Sequence, residues 1–265
     1  MRSTSKSSVE QPSALGMAEP MWLDPDEPAA FELSNAEGSN ALVLIADHAS
    51  SRVPRCLGQL GLSDEVLSSH IAWDAGTAKV ARHLSELLDA PLLLSNYSRL
   101  VIDCNRDAGS EEAILEASDG IQIPGNRKLG AEHIASRVRT LFAPYHDAIE
   151  ALLDARKDRP TTILSIHSFS PELQGEKRPW SIGVCYGDDP RLAHGLLPEL
   201  HKLAPSPVGD NEPYSIEDGI DYSLPRHAST RGLPHVMLEI RRDLIGSDQG
   251  ARHFAELIQT AWLAL

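Results

Sequence analysis

A three-layer αβα sandwich on a mixed, largely parallel β-sheet is the fold class this sequence predicts, on three observations. The chain has 265 residues, enough for one α/β domain with a sizeable core. Its apolar residues fall in short continuous runs, the pattern of strands buried on both faces. Between the runs lie amphipathic stretches of helical length, and such alternation puts helices on both sides of a sheet.

The elements follow in order. Residues 1–38 hold two basic residues against seven acidic ones, so −5 of the net charge of −14 lies there. Serine, proline and acid dominate this stretch, which predicts a partly flexible tail that packs through Met21, Trp22, Leu23 and Phe31. Residues 39–265 are then expected to form a single catalytic domain. ALVLIADHAS, residues 41–50, reads as a buried strand ending in a loop, and TTILSIHSF, residues 161–169, has the same form. SIGVCYGDD from Ser181 and PHVMLEIRRD from Pro234 are two further strands, and residues 90–104 a strand or strand pair. Residues 74–88, 127–156, 190–203 and 247–263 carry helical periodicity. The turn-rich segment 211–232 lacks periodicity and reads as a lid over the site.

Composition bounds the function. Hydrophobic residues make up 42% and charged residues 23%, ordinary for a globular domain, and 18 Gly and 18 Pro are too scattered for a low-complexity chain. A net charge of −14 repels phosphate backbones and anionic lipid, so nucleic-acid and membrane-surface partners are disfavoured. The three cysteines, Cys56, Cys104 and Cys185, have no paired spacing, which fits free thiols in a reducing compartment and no cysteine-based zinc site. No uncharged stretch approaches the ~20 residues of a membrane span, and the N-terminal sequence lacks the apolar run of a signal peptide. A cytoplasmic location is the expectation.

Ligand sites in open α/β sheets lie beyond the carboxyl ends of the strands, so strand ends are the places to look. Four of them finish in reactive residue types: Asp47-His48, then Ser98-Arg99 with Asp103-Asn105-Arg106 shortly after, His167-Ser168, and Glu239 with Arg241. Burying so many polar groups together is unfavourable unless they pair or bind a metal. The signatures of serine hydrolases, P-loop proteins, dinucleotide-binding folds and zincins are all missing. What remains is two histidines (His48, His167), carboxylates (Asp47, Asp74, Glu239) and arginines (Arg99, Arg106, Arg241). Two imidazoles and a carboxylate form a usual catalytic zinc set, a further carboxylate serves as general base, and guanidiniums hold anions bidentately. The inventory matches a metal-assisted hydrolase acting on a small anionic substrate.

The same residues resemble the N-formylglutamate amidohydrolase family, through ADHAS (46–50), WDAGTAKVA (73–81), SRLVIDCNRD (98–107), PYHDAI (144–149), SIHSF (165–169) and LEIRRD (238–243). The match spans most of residues 42–244 and leaves the acidic tail outside. It implies a fold similar to the zinc-dependent exopeptidases, hydrolysis of an N-formyl or N-acyl bond on an acidic amino acid, and zinc or another divalent metal as cofactor. Through a more distant similarity to zinc carboxypeptidases, His48 and His167 match the two zinc-binding histidines. Asn105-Arg106 matches the pair that holds a substrate carboxylate, and Glu239 the base.

One position departs from that pattern. Three residues after His48 stands Ser51 in place of a carboxylate, which makes Asp74 the candidate third ligand and Asp47 the alternative. The tested enzymes of the family also carry a proline before the first histidine, where this chain has Asp47. Arg99 is expected to bind the oxyanion or a carboxylate, and Arg241 and His227 to border the substrate. Asp103 should orient an arginine, and Asp47 and Ser168 should stand behind the ligands. His146 reads as a satisfied semi-buried helix residue, its place in the family match leaving a role behind the ligands open, and His194, His201, His235 and His253 as surface or structural. Three alternatives stay open: a metallo-carboxypeptidase or amidase acting on a peptide or cell-wall fragment, thiol catalysis by Cys104, and a metal-free binding relative.

Overall fold

In a computed structural model of the chain, residues 23–173, 175–217 and 219–265 are described. Seven strands form the main sheet: β1 (Phe31–Ser34), β2 (Leu42–Ala46), β3 (Leu92–Ser95), β4 (Thr162–Phe169), β5 (Ile182–Cys185), β6 (Val208–Asp210) and β7 (His235–Arg241), in the order β1-β3-β2-β4-β7-β5-β6. β3, β2, β4 and β7 run parallel, while β1 pairs antiparallel with β3, and β5 antiparallel with β7. The mixed, largely parallel sheet of the sequence reading is therefore present. Every residue of β2 is buried, because strands flank both its edges and helices cover both its faces.

Strand alternation sorts the core into two layers. On one face Leu42, Leu44, Leu164, Ile166, Val236 and Leu238 pack against α1 (Thr77–Leu88), α4 (Arg191–Leu203) and α6 (Asp248–Trp262). α1 buries Thr77, Ala81, Leu84 and Leu88, a stripe spaced three or four residues apart, and each leucine so buried contributes about 1.5–3 kcal/mol. Gly76 opens this helix at φ 95°, and a Cβ there would stand 2.5 Å from the Ile245 carbonyl oxygen. Only glycine suits that combination of backbone angle and space. At the start of α6 the Ser247 hydroxyl accepts from the Gly250 N–H and caps the helix.

On the other face Val43, Ile45, Ile163 and Met237 meet Tyr145, Ile149, Leu152 and Leu153 from the opposite helical layer. That layer is one continuous helical rod, where the sequence predicts a single helix over 127–156. α2 (Ala131–Arg137) passes through a π-turn (Val138–Phe142) into α3 (Ala143–Ala155). Pro144 has no N–H to give the carbonyl four residues back, and the Ala143 N–H reaches five residues back to Val138. The short α5 (Ser223–His227) completes the layer.

Two edge strands escape the sequence reading. β1 lies within the stretch assigned to the acidic tail, and its Phe31 packs on the core; Leu23 packs there too, whereas Met21 and Trp22 lie outside the described residues. Both edge strands are short and part-exposed, so neither carries a continuous apolar run. Of residues 90–104 only Leu92–Ser95 is strand; the remainder is loop, and it delivers Arg99 and Asp103 to the site. No helix among the described residues is long and apolar enough to cross a membrane.

Candidate active site

The second face of the sheet changes character toward the carboxyl ends of its central strands. The positions that continue Val43 and Ile45, Ile163, and Met237 in alternation are Asp47, then Ser165 and His167, then Glu239. His167 and Glu239 stand side by side in the parallel β4–β7 pairing. His48 follows Asp47, and its carbonyl accepts the Asp74 N–H at 2.9 Å, which hangs the loop before α1 over the end of β2. Asp47, His48, Asp74, Ser165, His167 and Glu239 are all buried.

The two imidazoles are arranged alike. His48 Nε2 is 2.7 Å from Asp103 Oδ1, and His167 Nε2 is 3.3 Å from Asp47 Oδ2 and 3.0 Å from Ser165 Oγ. Each ring therefore has its Nε2 held by a carboxylate and turns its Nδ1 inward. Asp74 Oδ2 lies 3.1 Å from His167 Nδ1 and 3.5 Å from His48 Nδ1. Among the described residues His48 Nδ1 has no hydrogen-bond partner despite complete burial, so the Asp74 contact is too long or too poorly aligned to satisfy it. The potential ligand atoms of His48, Asp74 and His167 lie within 4.8 Å of one another. Two nitrogens and a carboxylate oxygen converging on one point, one nitrogen unsatisfied and each ring backed by a carboxylate, fit a divalent metal of the zinc type. Asp47 is excluded from the direct set by its place on the far nitrogen of His167.

Asp47 is saturated from other directions. Its Oδ1 accepts from the Tyr145 hydroxyl (2.9 Å) and the Ser223 hydroxyl (2.6 Å), which joins α3 and α5 to the end of β2. Asp103 accepts from Arg99 Nη2 (2.7 Å) and Nε (3.1 Å) and from the Asn105 N–H (2.8 Å). The Ser168 N–H donates to Asp74 Oδ2 at 3.2 Å. Asp103 thus stands between His48 and Arg99 and Asp47 stands behind His167, while Ser168 meets Asp74 through its backbone only, its Oγ having no hydrogen-bond partner among the described residues.

The buried carboxylates, the two imidazoles and Arg99 compensate one another. Burial pushes the carboxyls of Asp47, Asp74 and Asp103 up, but the facing imidazoles and Arg99 outweigh it and hold all three below the usual carboxylate range. Burial, joined at His48 by Arg99, pushes both imidazoles down; the carboxylates against them outweigh this and raise both. Without a metal the carboxylates draw protons onto the rings; a dication offers them the same compensation. Glu239 differs. Burial pushes its carboxyl up to about 8, and its Oε2 has no hydrogen-bond partner among the described residues.

These residues open into a cavity of about 350 Å³, at the small end for ligand pockets. His48, Asp74, Arg99, Asn105, Arg106, His167, Ser168 and Glu239 all line it, as the sequence predicts. Two predicted residues do not. His227 is buried behind the site, its Nε2 2.9 Å from His146 Nδ1, because α5 turns that face toward α3. Arg241 extends past the strand end, where its Nε donates to Asp243 (2.9 Å) and its Nη1 approaches the Trp180 carbonyl (3.5 Å). His146 is a buried, hydrogen-bonded helix residue, its Nε2 2.9 Å from the Cys104 carbonyl. The Cys104 thiol is buried and raised by that burial, with Ser95 Oγ 3.9 Å away, and is no candidate nucleophile. Sequence reasoning missed Tyr145, Ser165 and Ser223 as supports, and Tyr214, Glu217 and Asp221 as lining residues. The turn-rich composition of residues 211–232 was the available signal for the last three.

The chain is similar to the gene product Atu2144 from Agrobacterium tumefaciens, with 36% identity over 92% of this chain and 98% of that one, at a TM-score of 0.86. It shares its fold with N-formylglutamate amidohydrolase from Ralstonia eutropha JMP134, at 21% identity over 89% and 96% of the two chains and a TM-score of 0.67. No curated protein matches the chain. The N-formylglutamate amidohydrolase family model matches residues 40–246, which contain every residue of the cavity and its supports, and the chain belongs to that family.

Proposed function

We propose that this protein is a metal-dependent hydrolase of the N-formyl or N-acyl amide bond of a small carboxylate-bearing amino acid, a substrate similar to N-formylglutamate. The observation that carries the reading is the convergence of His48 Nδ1, His167 Nδ1 and Asp74 Oδ2, with one buried nitrogen unsatisfied and a carboxylate behind each ring. When bound there, zinc or another divalent cation supplies a Lewis acid for the acyl carbonyl and for the attacking water. Asp103 and Asp47 fix the tautomer and tilt of the two rings, so that Nδ1 of each is free of its proton and faces inward.

Glu239 moves the proton. It lines the cavity, its buried Oε2 has no hydrogen-bond partner among the described residues, and burial raises its proton affinity, while a dication in the same cavity would oppose that burial. It takes a proton from the attacking water and returns it to the departing amine nitrogen. Arg99, immobilised by Asp103, presents its remaining N–H groups to the developing oxyanion. Arg106 and Asn105 lie where a substrate carboxylate would be held. A cavity of about 350 Å³ suits a single N-acyl amino acid better than a peptide, which would need a longer groove. With no long apolar helix among the described residues and an acidic composition, we place the enzyme in the cytoplasm, in amino-acid breakdown.

The test is metal analysis of protein purified without chelator, together with formate release from N-formylglutamate and from short formylated peptides. About one zinc per chain and turnover of the amino acid are expected, and both should be lost in the His48→Ala, His167→Ala double variant. Full metal occupancy in that variant would sink the ligand assignment, and indifference of turnover to metal removal would sink the hydrolytic reading.

A further inference from the structure

A substrate similar to N-formylglutamate carries two carboxylates, and the arginines of the cavity lining leave N–H groups for one of them. Arg106 has its Nη1 on the Asn105 carbonyl (2.9 Å) and 3.4 Å from Asp221, which also accepts from Asn105 Nδ2 at 2.8 Å, and its Nε faces Glu112 at 3.4 Å. Its Nη2 makes no hydrogen bond among the described residues and stays available for the α-carboxylate, the one beside the scissile nitrogen. Arg99 is bound to Asp103 and faces the oxyanion. The side-chain carboxylate lies farther out and needs another donor.

The chain that leaves β4 brings one. Beyond Phe169 it turns back at once in a two-stranded ribbon, Glu172–Leu173 against Glu176–Lys177, and the Arg178 N–H closes it on the Pro171 carbonyl at 2.9 Å. Arg178 is thereby fixed beside the end of the strand that carries His167. Its guanidinium lies 5.9 Å from the Phe169 ring centre and 5.0 Å from that of Tyr214, and its Nη1 donates to the Tyr214 hydroxyl at 2.9 Å. The stretch that bears Tyr214 is pinned to β5: the Asn211 N–H donates to the Val184 carbonyl at 3.0 Å, and Gly183, lacking a Cβ, makes room for the Glu212 carbonyl.

Tyr214 lines the cavity together with His48, Asp74, His167 and Glu239, and Pro213 lines both that cavity and the groove that contains Arg178. Tyr214 is 41% exposed, so the pair stands at the mouth of the cavity. Among the described residues no carboxylate lies at ion-pairing distance from Arg178, although Glu176 and Glu212 line the same groove. Burial raises the Tyr214 phenol and Arg178 opposes this without reversing it, so the hydroxyl keeps its proton at neutral pH. Having accepted from Arg178, it has that proton to donate.

We propose that Arg178 and Tyr214 form the subsite for the side-chain carboxylate of the substrate, and so determine specificity for acidic N-acyl amino acids. This rests on the N-acyl amino acid reading above. Asp74, Glu217 and Asp221 line the cavity of a chain whose net charge is −14, a field that repels a dianion; an unmatched guanidinium at the mouth offsets it locally. The two rings against Arg178 hold its fork in place before substrate arrives, which lowers the entropy lost on binding.

The test compares kcat/KM for N-formylglutamate and N-formylglutamine, which match in shape and differ in one charge, in wild type, R178Q and Y214F. Wild type is expected to favour the glutamate derivative by at least about tenfold. R178Q should lower kcat/KM for that substrate by about 10- to 100-fold, mainly through KM, and leave the glutamine derivative within about threefold. Y214F, which keeps the ring and removes the hydroxyl, should shift the ratio the same way by about threefold or more. A merely structural role would weaken both substrates alike, so an unchanged ratio in either variant overturns the inference, as does a wild type indifferent to the charge. Equilibrium binding of glutarate to the metal-loaded proteins reads the same contact without turnover: wild type should bind at least about tenfold more tightly than R178Q. Equal affinity, or no binding to either, also overturns it. Tighter binding by wild type with no hydrolysis of any N-formyl amino acid would instead sink the hydrolase reading and leave the subsite standing.

Discussion

Replacing Asp103 with asparagine separates the two things this carboxylate does, because it keeps the shape and removes the charge. Asp103 accepts four hydrogen bonds, from His48 and the Asn105 N–H on Oδ1 and from Arg99 Nε and Nη2 on Oδ2. A carboxamide has one acceptor atom, so either Arg99 or the His48–Asn105 side faces an NH₂ group. Breaking a buried ion pair on one side costs about 3–5 kcal/mol; the Arg99 side chain is 26% exposed, which lowers this to roughly 2–4 kcal/mol. At about 2 °C per kcal/mol for a chain of this size, Tm of the metal-stripped protein should fall by about 4–8 °C.

Metal affinity should fall separately. A neutral amide behind His48 no longer favours the tautomer that leaves Nδ1 free, and loss of such a partner typically costs about 10- to 100-fold. Calorimetry of metal-free protein reads the first effect, and chelator competition reads the second. If Asp103→Asn left Tm and metal affinity both unchanged, the assignment of Asp103 as the support of His48 and Arg99 would be wrong. A fall in Tm without a fall in affinity would remove only the metal half of the argument.

Two further outcomes are expected. Glu239→Gln should retain its metal and lose about 10²- to 10⁴-fold in turnover, checked by elemental analysis beside steady-state kinetics; full turnover with metal and fold intact would remove Glu239 from the reaction. The third concerns acid stability. Burial holds the His146 imidazole down at about 4, against 6.5 when exposed, so between those values the unfolded chain binds a proton that the folded chain does not. Stability from this group is therefore complete above about pH 6.5 and declines as the pH falls toward 4, by roughly 3 kcal/mol in all. Denaturant titrations across that range should show a shallower decline in His146→Gln, and an unchanged slope would refute the neutral, buried assignment.

The site was legible wherever a polar residue interrupts an apolar run that must be buried. His167 and Glu239 fall at inward positions of strands whose neighbours are Ile163, Ile166, Met237 and Leu238, and burying them has no purpose unless they meet something. His227 and Arg241 show the limit of the same reasoning. Sequence places both near the site, but the turn of α5 decides that His227 faces His146, and the step beyond the end of β7 decides that Arg241 faces Asp243. Asp221 was not legible at all, since it lies 116 residues from Asn105 in a stretch without periodicity.

By itself the sequence determined the fold class, the family and the chemical inventory of two imidazoles, carboxylates and arginines, because local periodicity and strand-end composition are properties of neighbouring residues. Tertiary structure alone decided which carboxylate faces which nitrogen. Asp74, Asp47 and Asp103 are equivalent in composition, yet one converges with both Nδ1 atoms and the other two hold Nε2 from behind. It also decided that the Asn105–Arg106 pair carries the chain's own Asp221, since hydrogen bonding at about 3 Å depends on how distant loops pack, which no local pattern records.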